Sequence, residues 1–357
     1  MRADGFQRPP VKVALMGLGR AMFGSHCPVF REHPALFEVV AACDILKDRR
    51  DTLAVDFPAC RMFRRYDDML DEPGIDLVVV ATGSKSHVEH AIMSLERGRW
   101  TLLETPMALT FEDAQLLRGA AVKSKNRLVV YHRGLFDPDF LLAKTEMSDP
   151  RLGAIYSVSV RREDFVRRDD WQTLKNRGGG ASYYAMQDLV LQTLKLMPSP
   201  PVQMWSELKR VASLGDTEDF AHVRFKTRQQ VTADVEYNGG SISPEKSPSF
   251  TIRGSRGVFT VMPGASKGRI TMIDPAFKFP RRRSSVRVHP IADMHESFPV
   301  VSEDVELPRG TACGQSLFWK HLYESVRVAA PFPLQLEDSI ECVKLSRLMK
   351  KTSLFGR

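Results

Sequence analysis

The stretch that decides the fold is VKVALMGLGRAMFGSH, residues 11–26. Its first six residues are mainly aliphatic, as in a buried strand, and Gly17 and Gly19 follow in G-x-G spacing before a helix-length segment. Gly17 permits a tight turn, and Gly19 lets the backbone approach a pyrophosphate at the N-terminus of the next helix. Position 22, where a third glycine is usual, holds a methionine. We therefore predict a dinucleotide site at Gly17, Gly19 and the neighbouring Arg20, with Met22 as a departure from the pattern.

Short apolar runs alternate with longer amphipathic segments from residue 11 to about residue 131. This alternation predicts a doubly wound parallel sheet of the Rossmann type, and we assign it a first domain, residues 1–131. Thr110 is a candidate N-cap, with Asp113 three residues later. The predicted strands cover residues 11–16, 37–43, 76–81, 100–103 and 128–131, and the predicted helices cover residues 45–56, 86–97 and 110–125.

The pattern changes after residue 131. A connecting helix is predicted over residues 138–147, and most of the segments that follow are typical of strands joined by hairpins. We expect residues 132–357 to form an α+β domain with an open, mostly antiparallel sheet. Residues 263–310, rich in Pro, Ser, Arg and Gly, are expected to be the least regular part. The predicted strands cover residues 154–162, 202–211, 220–225, 231–237, 250–253 and 258–261, and further helices cover residues 181–197, 315–328 and 336–353.

The second predicted strand ends in AACD, which places Asp44 at its tip. A carboxylate there can accept both ribose hydroxyls of an adenosine and repels a 2′-phosphate, which favours NAD over NADP. Lys47, Arg49 and Arg50 could instead pair with a phosphate, so NADP stays possible. The structural alternative is that Asp44 only caps the next helix.

Composition describes an ordinary globular protein of 357 residues, longer than one hydrophobic core usually supports. No run of eighteen apolar residues and no signal peptide is recognisable, so we expect no membrane span and a cytoplasmic location. The five cysteines are scattered, without the spacing of a metal site, and no metal is expected.

The formal net charge of +8 includes a dense basic cluster. Arg281, Arg282 and Arg283 follow one another, and Arg287 comes soon after. Such a cluster could meet phosphate, but a solvated loop is the commoner case, and no recognition motif accompanies it. A nucleic-acid partner is therefore not expected.

Taken together, these segments resemble the Gfo/Idh/MocA family, the glucose–fructose oxidoreductase and inositol dehydrogenase group. The resemblance implies a Rossmann domain followed by an α/β domain whose open sheet often forms dimers or tetramers. It also implies NAD(P)-dependent oxidation or reduction of a sugar or polyol carbon. The resemblance covers essentially the whole chain and rests on MGLGRAMFGSH, AACD, ATGSKSHVEHA, LLETPMALT, the triple glycine at 178–180 and SLFGR, while DDWQTLKNRGGG is similar to a bacterial subgroup.

The first part of the family's chemical signature is incomplete. Members have E-K-P at the end of the fifth strand, and this chain has Glu104, Thr105 and Pro106, so the lysine is missing. Members usually have T-P-x-x-x-H after the fourth strand, where this chain keeps Thr82 and His87 but has glycine for the proline.

The second part is more strongly substituted. In the family's G-x-H-x-x-D pattern the glycine, histidine and aspartate correspond to Met186, Asp188 and Leu191. In the N-R-R-like segment that opens the second domain, only Arg133 remains near the basic positions. The resemblance thus implies a depleted active site.

Hydride transfer from a carbinol needs a base for the hydroxyl proton, and a threonine or a leucine cannot supply one. Asp188 could act as the base if burial raised its pKa, and His87 is a second catalytic candidate. Other residues that could reach the cleft are Lys85, Lys175, His132, Tyr183 and Tyr184. Arg133, Asp188 and Tyr184 are expected to contact the substrate. The expected cofactor contacts are Gly17, Gly19, Arg20, Asp44, Thr82, Glu104 and Pro106.

Two functions stay open. In the first, the protein is a divergent NAD(P)-dependent oxidoreductase that acts on a sugar or polyol derivative with another base. In the second, it is a catalytically inactive protein that binds a nucleotide or a sugar and serves regulation on the same scaffold.

Overall fold

A parallel sheet forms the N-terminal part of the computed structural model, which describes residues 8–279 and 297–355. Its six described strands lie in the order β3-β2-β1-β4-β5-β6, and every paired neighbour is parallel. The predicted doubly wound sheet is therefore confirmed. The strands are β1 (Val11–Met16), β2 (Phe37–Cys43), β3 (Arg61–Phe63), β4 (Leu77–Val80), β5 (Trp100–Leu103) and β6 (Leu128–Val130).

Helices cover both faces of this sheet. Along β1, Val13 and Leu15 lie in one buried cluster and Ala14 and Met16 in another, which explains the continuous apolar run. The predicted cap is also present, since the backbone N–H of Asp113 donates to the hydroxyl of Thr110 at 3.0 Å. The helices are α1 (Cys27–Glu32), α2 (Lys47–Asp56), α3 (Tyr66–Leu70), α4 (His87–Glu96) and α5 (Phe111–Lys123).

The second sheet has eight described strands in the order β14-β13-β12-β11-β7-β10-β9-β8. Only β7 and β10 pair in parallel, so the mostly antiparallel sheet is confirmed. The strands are β7 (Ile155–Glu163), β8 (Gln203–Lys209), β9 (Phe220–Lys226), β10 (Thr232–Asn238), β11 (Phe250–Gly254), β12 (Gly257–Val261), β13 (Lys267–Ile273) and β14 (Val300–Glu306).

The expectation that residues 263–310 are irregular is wrong for part of that range. β13 and β14 pair over their full length, from Lys267 opposite Glu306 to Ile273 opposite Val300. β14 is an edge strand that buries none of its residues fully, so it lacks the apolar alternation by which strands are recognised. The basic cluster Arg281–Arg287 lies outside the described residues.

One face of the second sheet is covered by helices. The helix expected over residues 181–197 is divided at Ala185, where the backbone departs from helical geometry. The helices of this part are α6 (Pro138–Glu146), α7 (Ala181–Tyr184), α8 (Met186–Leu196), α9 (Gly314–Val328) and α10 (Leu336–Thr352).

The last two helices return to the first sheet. Phe318, Trp319 and Leu322 of α9 are buried in the cluster on one face of that sheet, and Ile340 and Val343 of α10 lie in the cluster on the other. The assignment of residues 132–357 to a separate domain stays a prediction. Both α9 and α10 pack against the sheet of the first domain. No helix among the described residues is long and apolar enough to cross a membrane.

Candidate active site

The two glycines of the loop after β1 are under different structural constraints. Gly17 has a φ of +88°, and a Cβ there would lie 2.8 Å from the carbonyl oxygen of Ala81. At Gly19 an added Cβ would meet no described atom within 4 Å. Packing therefore requires glycine at 17 but not at 19. The open space at Gly19 fits the close approach of a dinucleotide pyrophosphate.

The departure at Met22 is accommodated by the helix itself. Met22 is fully buried and begins a single turn of π-helix, Met22–His26, before α1. Such turns are frequent at functional sites.

Asp44 at the tip of β2 has two roles in the structure. Its Oδ2 accepts a hydrogen bond from the backbone N–H of Leu18 in the glycine loop at 2.8 Å, and its Oδ1 accepts one from Leu46 at 2.9 Å. The alternative that Asp44 only caps the next helix is wrong, because Leu46 is the N-cap of α2 and no side chain caps it. The bond to Leu18 ties the strand tip to the glycine loop, and the ribose contact stays a prediction.

The cations near Asp44 do not all face it. Arg49 Nη1 lies 3.4 Å from Asp44 Oδ2, and Arg50 donates to the backbone carbonyl of Asp44 at 2.5 Å. Lys47 pairs instead with Asp51 at 2.6 Å. Of the three cations considered as phosphate ligands, two lie at the strand tip.

His87, a catalytic candidate, is fully buried. Its Nδ1 lies 2.8 Å from the carbonyl oxygen of Pro106 and its Nε2 lies 3.0 Å from that of Thr82. Burial lowers the pKa of His87 and keeps the ring neutral, although both carbonyls oppose that shift. We therefore interpret His87 as a positioning residue packed between the ends of β4 and β5, where the single N–H of its neutral ring donates to one of the two carbonyls.

Glu104 is held by a residue that sequence reasoning did not single out. The Nε2–H of His26 donates to Glu104 Oε1 at 2.8 Å, and Glu104 Oε2 accepts from the backbone N–H of Thr105 at 3.2 Å. The His26 ring is buried against Tyr131, with ring centroids 4.6 Å apart. The histidine was present in the quoted MGLGRAMFGSH segment, but no local pattern indicates its partner.

Asp188 lies on α8 and faces His132, which follows β6. His132 Nδ1–H donates to Asp188 Oδ1 at 2.9 Å, and the backbone N–H of Gly134 donates to Oδ2 at 3.1 Å. His132 is buried, whereas the Asp188 side chain is 23% exposed. The structure thus pairs one of the alternative bases with the first candidate.

The expectation that burial raises the pKa of Asp188 is wrong. Burial is the largest single influence on the pKa of Asp188, and it raises this pKa. The pKa is nevertheless held below its usual value by the hydrogen bond and charge of His132, the charge of Arg162 and the N–H of Gly134. Asp188 is therefore an ionised carboxylate at neutral pH.

Two expected substrate residues lie apart from each other. Arg133 lines a cavity of about 300 Å³ between α6, α8, the end of β7 and the start of β11. Tyr184 does not line this cavity; its ring lies under the Arg168 guanidinium at 4.9 Å and against Tyr237. Burial raises the pKa of Tyr184 far above its usual range, so this phenol is not an acid–base candidate.

Two further residues singled out in the sequence are Arg20, a predicted cofactor contact, and Leu191, which corresponds to the family's aspartate. Arg20 forms an ion pair with Asp170 at 3.2 Å, which brings the segment after β7 over the glycine loop. Leu191, where the family has aspartate, is fully buried in the hydrophobic core of the second domain. The described residues contain no cluster of three or more His, Cys, Asp or Glu side chains that could hold a metal.

Comparison with known proteins agrees with this architecture. Residues 11–132 match the family described as "Oxidoreductase family, NAD-binding Rossmann fold", and residues 140–260 match the "GFO/IDH/MocA C-terminal domain". An uncharacterized oxidoreductase of Schizosaccharomyces pombe is 30% identical over 258 residues, covering 70% of each chain. The scyllo-inositol 2-dehydrogenase (NADP(+)) IolW of Bacillus subtilis is 27% identical over 251 residues, covering 70% of this chain and 68% of the relative.

A solved structure shows the same fold. The WlbA dehydrogenase from Bordetella pertussis, in complex with NADH and UDP-GlcNAcA, superposes with a TM-score of 0.73 at 19% identity and covers 96% of both chains. The sequence matches span both domains and the Rossmann loop has the geometry of a nucleotide site, so the chain belongs to the Gfo/Idh/MocA family of NAD-binding oxidoreductases.

Proposed function

We propose that the protein is an NAD(P)-dependent oxidoreductase that acts on a carbinol carbon of a sugar or polyol derivative. The observation that carries this proposal is the loop after β1, where Gly19 faces open space while Gly17 is required by its backbone and its neighbours. This cradle lies at the carboxyl edge of the parallel sheet, as does Glu104 at the end of β5. Ligands of open α/β sheets bind at this edge.

The cofactor residues have separate tasks in this proposal. Gly17 and Gly19 accommodate the pyrophosphate, Asp44 holds the adenosine ribose, and Glu104 and Pro106 frame the nicotinamide pocket. When bound, NAD(P) accepts or supplies the hydride. NAD is the expected cofactor, and Arg49 beside Asp44 keeps NADP open.

The contact with the substrate hydroxyl falls to the pair formed by His132 and Asp188, although the lowered pKa of Asp188 makes its carboxylate a weaker base than a raised pKa would. The partly exposed carboxylate of Asp188 accepts a hydrogen bond from the substrate hydroxyl, and the buried imidazole of His132 holds the carboxylate in place and keeps it ionised. By the family resemblance Asp188 corresponds to the family's histidine, so this proposal implies an altered active site.

Two observations support the substrate class: the names of similar proteins and the cavity beside Arg133. IolW is named a scyllo-inositol dehydrogenase, and the WlbA crystals contain a nucleotide sugar. The cavity volume of about 300 Å³ lies at the lower end of ligand pockets, and its walls carry both donors and acceptors for hydroxyl groups.

The second candidate is a nucleotide- or sugar-binding regulatory protein without catalysis. The observation that favours it is Leu191, which is buried in the core and so has no counterpart of the family's aspartate in the cleft. Thr105 adds a second missing group.

Calorimetric titration with NAD, NADH, NADP and NADPH tests whether the protein binds a nicotinamide nucleotide. We expect at least one of these nucleotides to bind with a Kd below about 1 mM, and no binding at that concentration would refute both candidates' use of a nucleotide. Turnover of inositols, sugars and sugar acids is then followed by the absorbance of the reduced nicotinamide. Turnover supports the oxidoreductase, whereas tight nucleotide binding without turnover of any substrate class supports the regulatory protein.

We also propose that the protein is a cytoplasmic homo-oligomer. The supporting observation is the outer face of the second sheet, where Trp205 of β8 is 51% exposed. Light scattering coupled to gel filtration should give a dimer or tetramer, and Trp205→Glu should shift that mass toward the monomer.

A further inference from the structure

A polar cavity lies beside the Asp188 carboxylate but is not part of the nucleotide cradle. It is enclosed by the end of β7, the start of β11, α8 and the N-terminus of α6, and its volume is about 300 Å³. The side chains and backbone that matter for its chemistry belong to Arg133, Asp137, Arg162, Gln192, Ser249 and Gly264.

Gly134 connects this cavity to the acid–base pair. Its backbone N–H donates to Asp188 Oδ2 at 3.1 Å, and its carbonyl accepts from Gln192 Nε2 at 2.6 Å. Asp188 and Gln192 are four residues apart on α8, so they share one face of the helix. The Gly134 backbone thus joins a side chain of the cavity wall, Gln192, to the Asp188 carboxylate.

Two polar groups of the cavity have unused bonding capacity. Gln192 is buried, and its Oε1 has no hydrogen-bond partner in the described part of the chain. The Arg162 guanidinium has no hydrogen bond or ion pair among the described residues, although its charge acts on both Asp137 and Asp188. The buried Gln192 oxygen is costly to leave without a partner, and the half-buried Arg162 guanidinium is free to pair with a ligand.

The acidic residues of the cavity do not pair with the Arg162 guanidinium. Asp139 already accepts hydrogen bonds from the Ser249 hydroxyl at 2.8 Å and from the backbone N–H of Gly264 at 3.0 Å, so it belongs to the wall. Asp137 lies 3.9 Å from Arg133, too far for a strong ion pair. Arg162 is thus available to a ligand.

We propose that this cavity binds the anionic group of a sugar acid or sugar phosphate, with Arg162 pairing the anion and Gln192 Oε1 accepting a neighbouring hydroxyl. The inference rests on the proposed function and names its substrate class, an anionic sugar. A guanidinium recognises carboxylate and phosphate through two parallel hydrogen bonds, which explains the choice of arginine at this position. A neutral polyol satisfies Gln192 but leaves Arg162 unpaired.

Calorimetry on the full-length protein saturated with NADH tests the inference with D-glucuronate, D-glucose 6-phosphate and D-glucose as probes. We expect at least one anionic sugar to bind at least about tenfold more tightly than glucose. Comparing glucuronate with glucose 6-phosphate shows whether carboxylate or phosphate is preferred. Binding should weaken as ionic strength rises, because an ion pair at a partly open site is screened. Equal affinity for all three probes, or no binding of either anion at about 10 mM, overturns the inference.

Arg162→Gln is the diagnostic variant, because glutamine keeps hydrogen-bond donors but removes the charge. We expect it to abolish the preference for the anionic sugar and to leave NADH binding unchanged. Arg253→Gln is the matched control, since Arg253 is an exposed arginine of β11 that does not line the cavity. A preference that survives in Arg162→Gln would contradict the assignment.

The outcomes separate this inference from the proposed function. If the protein binds NADH but shows no preference for anionic sugars, only the inference fails. If it binds the anionic sugar through Arg162 but no nucleotide, the cavity assignment stands and the oxidoreductase proposal fails.

Discussion

His26 Nε2 and Glu104 Oε1 lie 2.8 Å apart, so the turn that follows the glycine loop and the end of β5 are joined by one hydrogen bond. The two residues are 78 positions apart in sequence. The His26 ring also packs between Tyr131 and Trp319, at centroid distances of 4.6 and 5.7 Å. The end of β5, where we propose the nicotinamide pocket, is therefore oriented by the helical turn that follows the glycine loop.

Glu104→Ala should lower the free energy of unfolding by about 1–3 kcal/mol, because it leaves the buried His26 imidazole without its partner. Urea unfolding measures the effect. Glu104→Gln keeps an oxygen acceptor for His26 and should cost clearly less. Equal stability of the alanine variant and the native protein would show that the bond does not contribute.

Gly17→Ala and Gly19→Ala should separate stability from binding. At Gly17 the positive φ and the contact with Ala81 should reduce the free energy of unfolding by about 1–3 kcal/mol. At Gly19 the unfolding free energy should change by less than about 0.5 kcal/mol, while NADH affinity should fall at least about tenfold. Gly24→Ala, which also meets no described atom within 4 Å, is the control for binding. Unchanged NADH affinity in Gly19→Ala would argue against the cradle.

Nucleotide preference should respond to the charges at the tip of β2. Arg49→Ala should weaken NADPH binding about tenfold or more and change NADH binding little, because only NADPH has a 2′-phosphate at the ribose to pair with the guanidinium. Asp44→Asn should shift the preference toward NADPH by removing a like charge. Lys47→Ala is the matched control, since Lys47 already pairs with Asp51. Fluorescence titration with both reduced nucleotides measures the ratio, and a ratio that none of these variants alters would remove Asp44 and Arg49 from the ribose site.

His132→Asn should raise the pKa of Asp188, because asparagine cannot supply the positive charge that helps hold this pKa down. In the native protein the lowered pKa keeps Asp188 ionised until the pH falls below the usual range of aspartate. The acid limb of the pH–rate profile should therefore move to higher pH in the variant. His222→Asn is the control, because His222 pairs with Asp234 at 3.2 Å on the second sheet, away from the cleft. An acid limb at the same pH in His132→Asn would show that His132 does not act through Asp188.

Asp137→Asn should stabilise the protein at high pH. Burial raises the pKa of Asp137 from 3.8 to about 6, against the opposing charge of Arg133. The native state thus favours the neutral carboxyl, and this contribution is present below the unfolded pKa and lost as the pH rises through about 6. At pH 8 the variant should be more stable by up to about 3 kcal/mol, and the difference should vanish toward pH 4. Urea unfolding at both pH values checks the sign; a difference independent of pH would contradict it.

Local patterns in the sequence determined most of the fold. The alternation of apolar runs with amphipathic segments predicts the parallel sheet, and the G-x-G spacing predicts the cradle, because both depend on residues close together in the chain. The Thr110 cap was predictable for the same reason. β3, β13 and β14 escaped prediction. β14 is an exposed edge strand, which owes its conformation to pairing with β13 and not to its own apolar pattern.

Only the tertiary structure decided the chemistry of the site. His132 and Asp188 are 56 positions apart, and their contact depends on how α8 packs against the turn after β6. The family resemblance implies that the lysine, histidine and aspartate of the family correspond to Thr105, Asp188 and Leu191. It could not show that Asp188 gains a histidine partner while Leu191 is buried in the core, because such pairings depend on long-range packing, which no local periodicity encodes.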